Sequence, residues 1–229
     1  MRRSLDISAY LVIGPENVKS GRVAEVIRAA VAGGFTCVQL RSKAASAREM
    51  IALAAEAAGV IREMGKSNTT ALLIDDRLDV VLAAREQGTK VDGLHVGQKD
   101  IPPAVCRRYL GNEAVIGLSA PAAELLSCLA SPEREYVDYF GAAPYHETGT
   151  KPDCERGADG KVILTPDECL REMTAKSPLP VVVGGGVKPE DLPAIKRTGA
   201  AGFFVVTAIT EAADVYAAAR NMCRLWRES

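Results

Sequence analysis

The chain has 229 residues, 48% hydrophobic and 25% charged, with 28 basic against 29 acidic side chains and a formal net charge of −1. That balance supplies a sizeable core and argues against disorder. It also leaves no global basic field to hold nucleic acid or an anionic membrane, so any recognition of phosphate has to be local.

Apolar stretches such as 52–61 fall short of the roughly 20 residues a membrane span requires. The start of the chain lacks the pattern of a signal peptide, and the expectation is a cytoplasmic protein. The six cysteines (Cys37, Cys106, Cys128, Cys154, Cys169 and Cys223) lie far apart with no CxxC pair, which reads as reduced thiols, several of them small core residues.

Runs with strand character alternate with segments of helical period along the whole chain. Strands are expected at 7–13, 37–41, 71–74, 93–96, 115–118, 139–142, 181–183 and 202–206, each followed by a helix. Helical signals are clearest at 46–64, 77–86, 121–130, 166–175, 189–198 and 212–226. Several open on Pro or an acidic first turn, as helix starts prefer. Gly33-Gly34, Gly65, Gly88, Gly111 and Gly199 fit helix C-caps. Eight β-loop-α units predict a (β/α)8 TIM barrel, one domain spanning 1–229, whose parallel strands are buried on both faces. A doubly wound open sheet is the alternative, but no GxGxxG turn follows the first strand.

A barrel gathers the loops after its strands on one face, so chemistry belongs at strand C-terminal ends. Two acidic clusters stand there, Asp75-Asp76-Arg77 and Gly97-Gln98-Lys99-Asp100. If the two strands are neighbours, about 4.8 Å apart, Asp76 and Asp100 converge and suit Mg²⁺ shared with substrate phosphate. A single such Asp would read first as a cap on the following helix.

Gln39, Arg41 and Lys43 alternate, so a strand continued through them aims all three one way, toward a diphosphate; alone, the two cations read as solvated surface charges. Thr148-Gly149-Thr150-Lys151 offers two hydroxyls, flexible backbone and an ammonium to a phosphate, or is a solvated turn. Gly184-Gly185-Gly186 after the seventh strand fits a phosphate loop, or a tight turn. The irregular segment 145–162 reads as a mobile active-site loop after strand six. His95 reads as a packed, hydrogen-bonded strand residue and His146 as a surface one. No Ser-His-Asp order and no paired catalytic acids support ordinary hydrolysis.

Taken in register, Val38-Gln39-Leu40-Arg41-Ser42-Lys43, Leu73-Ile74-Asp75-Asp76-Arg77, Gly93-Leu94-His95-Val96-Gly97-Gln98-Lys99-Asp100, Gly117-Leu118-Ser119 and Thr148-Gly149-Thr150-Lys151-Pro152 closely resemble the thiamine phosphate synthase family. So do 181–187 and 199–209. The resemblance implies a transferase joining 4-amino-5-hydroxymethyl-2-methylpyrimidine diphosphate to a thiazole phosphate, with release of pyrophosphate. It implies Gln39 on the pyrimidine, and Arg41, Lys43, Ser119 and Lys151 on the diphosphate as the groups that carry catalysis. Asp76 and Asp100 would hold Mg²⁺. Thr148, Thr150, Gly186, Val206 and Thr207 would surround the thiazole phosphate. The implied partners are small phosphorylated substrates, and a homo-oligomer is compatible with the sequence.

Three positions depart from the family pattern. Asp75 stands where Asn is usual beside the diphosphate, Ala120-Pro121 replaces a frequent His-Thr pair, and Thr207 replaces Ser. A related thiazole tautomerase would want a histidine where Pro121 stands, and a binding paralogue without turnover would have Asp75 as its sign.

Overall fold

The computed structural model describes residues 6–18, 22–124, 126–148 and 156–229. Its eight strands are β1 (Ala9–Ile13), β2 (Cys37–Leu40), β3 (Ala71–Asp75), β4 (Gly93–Val96), β5 (Val115–Pro121), β6 (Tyr139–Ala143), β7 (Val181–Gly184) and β8 (Gly202–Val205). They pair in parallel, in chain order, and β8 closes on β1 to complete the barrel. The doubly wound alternative is thereby excluded.

Alternation along each strand builds two cores. Leu11, Ile13, Val38, Leu40, Leu72, Ile74, Leu94 and Phe140 face outward and pack under the helices. Tyr10, Val12, Cys37, Leu73, Val115, Tyr139 and Val182 fill the barrel interior. Burial on both faces explains why the strands read as continuous apolar runs.

The helices follow as expected in most units: α1 (Val23–Gly33), α2 (Ala47–Glu63), α3 (Leu78–Glu86), α4 (Pro103–Leu110), α5 (Ser127–Ala130), α6 (Asp167–Lys176), α7 (Leu192–Arg197), α8 (Thr207–Thr210) and α9 (Val215–Glu228). Ser46 begins α2 with a reciprocal capping box to Glu49, the arrangement that satisfies two orphan N–H groups at once. Among these helices no span is long and apolar enough to cross a membrane.

Two expectations need correcting. The segment 121–130 is not one helix: β5 runs through Pro121, a 3-10 turn covers Ala122–Glu124, and only Ser127–Ala130 is helical. Pro121 fits the strand's end because no further ladder bond is asked of it. Likewise 189–198 splits into a 3-10 turn, Pro189–Asp191, and α7. The short α8 after β8 was not foreseen.

The N-terminal face of the barrel is built for stability. Asp92, just before β4, accepts from Leu72 N–H at 2.8 Å, and Asp138, just before β6, accepts from Ile116 N–H at 2.8 Å. An arginine closes each corner, Arg85 from α3 and Arg107 from α4. Arg85 donates to the carbonyls of Val91, Asp92 and Leu110, and Arg107 to those of Tyr136 and Ala114 and to the Asp138 carboxylate at 2.7 Å.

Candidate active site

At the opposite face the strand ends and their loops enclose a cavity of about 350 Å³. Its apolar depth is lined by Tyr10, Val12, Val182 and Phe204, and its rim carries the charges. Such a shape suits a flat, mostly apolar ring with a polyanionic tail.

The rim begins at β2. Gln39 is buried, Arg41 is 21% exposed and Lys43 60% exposed at the side chain, and all three line the cavity. The strand ends at Leu40, so these residues do not form one straight row as expected. Arg41 N–H still donates to Ile13 at 2.8 Å, and the chain then bends through 42–45. Ser42 donates to the Glu16 carboxylate, which ties that bend to the loop after β1.

β3 and β4 are neighbours, with Asp75 beside His95 in register. Asp76 follows with φ 59°, a left-handed conformation. Its carboxylate accepts from Lys43 and interacts electrostatically with that of Asp100. Asp75 lies 3.2 Å from Arg41 Nε and 3.7 Å from Lys43 Nζ. Neither aspartate caps α3, whose N-cap is Arg77 without a side-chain hydrogen bond, so the capping alternative falls away. Asp100 also accepts from Gly97 N–H at 2.8 Å, which closes its own turn.

Three carboxyl groups this close cannot all ionise freely. Burial pushes Asp75 up to about 7, the Asp76 charge adds to that push, and Arg41 and Lys43 oppose it. Burial would raise Asp76 as well, but hydrogen bonds from Lys43 and Asp100 outweigh it and hold the carboxyl below its ordinary value. Asp100 is raised, by burial first and by its bond to Asp76 second. Two neighbouring carboxylates suit a hard cation. Among the described residues no group of three or more His, Cys, Asp or Glu side chains could hold a metal. The protein would supply two carboxylates and leave the remaining positions to substrate oxygens and water, the usual habit of Mg²⁺.

The far wall comes from β6 to β8. Gly185 and Gly186 have φ of 83° and 70°, and both line the cavity with Val206, Thr207 and Thr148. A Cβ on Gly186 would lie 2.8 Å from His146 Cβ. His146, expected at the surface, is 44% exposed at the side chain yet held in place: its backbone N–H donates to the Gly185 carbonyl at 2.8 Å and its Nε2 lies 2.9 Å from Asp191. Thr150 and Lys151 lie outside the described residues, with the rest of 149–155 in the irregular segment 145–162. The other expected site residues, Ser119 included, line the one cavity.

Sequence reasoning missed a polar chain beneath it. Gln39 Nε2 donates to Tyr10 Oη at 2.7 Å, and the Tyr10 and Tyr139 hydroxyls are 2.9 Å apart. Tyr139 Oη is 3.0 Å from His95 Nδ1, and His95 Nε2 is 3.0 Å from Ser119 Oγ. Strand alternation was the available signal, since it aims Tyr10, Gln39, His95, Ser119 and Tyr139 inward together.

Residues 9–209 match the family model described as thiamine monophosphate synthase. A thiamine-phosphate synthase of Corynebacterium efficiens is 40% identical over 222 residues, 97% of this chain and 96% of that protein. Its counterpart in Syntrophomonas wolfei is 37% identical, with 98% of each chain covered. Among solved structures, thiamine phosphate pyrophosphorylase from Pyrococcus furiosus superposes with a TM-score of 0.77 at 28% identity, covering 97% of this chain and 96% of that one.

Proposed function

Because the chain belongs to the thiamine monophosphate synthase family, an enzyme family of transferases, we propose that it joins 4-amino-5-hydroxymethyl-2-methylpyrimidine diphosphate to a thiazole phosphate and releases pyrophosphate. The observation that carries this reading is the meeting of Asp76, Asp100, Arg41 and Lys43 on the rim of a cavity with an aromatic and aliphatic depth. A ring can enter the depth while its diphosphate stays among the charges.

The C–O bond between the pyrimidine methylene and the diphosphate breaks, and its electron pair leaves with pyrophosphate. The electron-rich aminopyrimidine supports the carbocation-like centre that remains. The thiazole nitrogen lone pair then forms the new C–N bond. No protein nucleophile is required, consistent with the lack of any triad in the sequence. Arg41 and Lys43 neutralise the departing oxygens, Ser119 adds a hydroxyl contact, and Gln39 orients the pyrimidine. Asp76 and Asp100 would hold Mg²⁺, which when bound supplies charge neutralisation of the leaving group. Gly186, Val206, Thr207 and Thr148 would surround the thiazole phosphate, with Thr150 and Lys151 assigned by resemblance alone. Pro121 closes β5 where an isomerase of this barrel type would want histidine, which favours the synthase.

The test is pyrophosphate release from the pyrimidine diphosphate, with and without thiazole phosphate and Mg²⁺. Release that needs both partners and the metal supports the reading. Tight binding of both substrates with no release in any combination would overturn it in favour of a paralogue without turnover.

A further inference from the structure

We propose that Tyr10, Tyr139 and His95 form a hydrogen-bond relay of fixed direction across the barrel interior, which presents the Ser119 hydroxyl proton to the cavity and makes the three residues positioning groups for an anionic substrate oxygen. Only the identity of that anion, a diphosphate, rests on the function proposed above.

The direction is set at one end. An amide nitrogen can only donate, so with Gln39 Nε2 on Tyr10 Oη at 2.7 Å the Tyr10 oxygen accepts, and its own proton points to Tyr139, 2.9 Å away. Tyr139 then donates to His95 Nδ1 at 3.0 Å. An imidazole that accepts at Nδ1 carries its proton at Nε2 when neutral, and that proton goes to Ser119 Oγ at 3.0 Å. The serine oxygen is thus engaged as an acceptor, which turns its hydroxyl proton toward the cavity that Ser119 lines. Both tyrosines are fully enclosed, and burial, foremost, raises their hydroxyls well above the usual value. They stay protonated, so the chain does not break by ionisation. Cys37, also in reach of Tyr10, is kept a thiol by burial.

The barrel leaves room for this chain by omitting side chains. A Cβ on Gly117 of β5 would fall 2.2 Å from Tyr139 Cζ and 2.4 Å from both Tyr139 Oη and His95 Nδ1. A Cβ on Gly141 of β6 would fall 3.0 Å from His95 Cε1. Alanine at Gly117 would therefore displace the very atoms that carry the direction. The opposite polarity requires the Gln39 carbonyl oxygen on Tyr10 and the proton of His95 on Nδ1, so the histidine tautomer decides between the two.

The chain holds two histidines, which makes the tautomer readable by long-range ¹H–¹⁵N correlation on histidine-labelled protein, with His146→Gln identifying the His95 signals. A neutral Nε2–H ring in the ligand-free protein is the expected result; an Nδ1–H ring, or an imidazolium at neutral pH, would overturn the relay. Steady-state kinetics supply the second arm. Tyr139→Phe keeps the ring's volume and should lower kcat about 10-fold with little change in KM for the pyrimidine diphosphate, the pattern of a contact that strengthens as charge develops. In Ser119→Ala the same phenylalanine substitution should cost almost nothing more, whereas independent, multiplicative losses would reduce Tyr139 to a structural role. Absence of pyrophosphate release by the wild type would sink the synthase reading while the tautomer still decides the relay.

Discussion

The backbone N–H of Asp76 donates to the carbonyl of His95 at 2.8 Å. One bond past the end of β3, this contact fastens Asp76 in its left-handed conformation, φ 59°, to the strand that carries the histidine. Aspartate tolerates that region better than most residues, and the turn swings its carboxylate to Lys43 and Asp100. Asp76→Asn keeps the backbone tolerance and removes the charge. It should reduce turnover about 100-fold or more, while thermal unfolding in the absence of ligands moves little. Added Mg²⁺ with pyrophosphate should raise the wild-type Tm by binding the native state and leave the variant's Tm unchanged; an equal rise in both would remove Asp76 from the metal site.

Asp75 carries a pH signature. Its carboxyl, raised by burial and by Asp76 to about 7, binds a proton in the folded chain that the unfolded chain has already lost above pH ~3.9. Where the native state holds more protons than the unfolded one, stability falls as pH rises. The penalty is therefore absent below the unfolded value, grows as pH climbs toward about 7 and is complete beyond it. It should amount to about 2–4 kcal/mol in metal-free protein. Asp75→Asn removes the titrating group, so its denaturant midpoint should exceed the wild type's at pH 8 and converge with it near pH 4. Parallel pH profiles for the two proteins would contradict this assignment.

The barrel was legible because every strand is buried on both faces, so runs such as Leu72-Leu73-Ile74 and Val181-Val182-Val183 announce themselves without alternation. Arg41 and Asp76 each had a plainer reading, a solvated charge or a helix cap, and stood out only because both lie at the ends of neighbouring buried strands. What escaped was whatever depends on partners from distant strands. Tyr10 and Tyr139, 129 positions apart, look like ordinary core aromatics until closure of the barrel brings their hydroxyls together. The helix drawn through 121–130 failed because a proline reads as a helix start in sequence, whereas here it ends an extended strand on a face where no ladder partner needs its N–H.

Arg107 tests the stabilising face. It is 8% exposed and its guanidinium bonds Asp138 at 2.7 Å together with the carbonyls of Tyr136 and Ala114. Arg107→Ala takes the cation from a largely buried carboxylate and a donor from several carbonyls, and should cost about 3–5 kcal/mol in urea unfolding. The exposed pair Arg224 and Glu228 on α9 offers the contrast, since Arg224→Ala should change stability by under about 0.5 kcal/mol. Comparable losses at the two arginines would show that the corner before β6 is not the anchor described.

Gly186, a lining residue of the cavity, tests the proposed placement of the thiazole phosphate. Its φ of 70° disfavours any Cβ, and an alanine there would press to 2.8 Å from His146 Cβ. The strain should cost about 1–2 kcal/mol of stability. The catalytic consequence follows from geometry, because His146 is fastened on both sides, by its N–H to Gly185 and by its ring to Asp191. It cannot yield to the new methyl group without shifting the backbone proposed to face the thiazole phosphate. Gly186→Ala should therefore raise KM for the thiazole phosphate about 10-fold or more and leave KM for the pyrimidine diphosphate within about 2-fold. A rise confined to the pyrimidine substrate would place the thiazole elsewhere in the cavity.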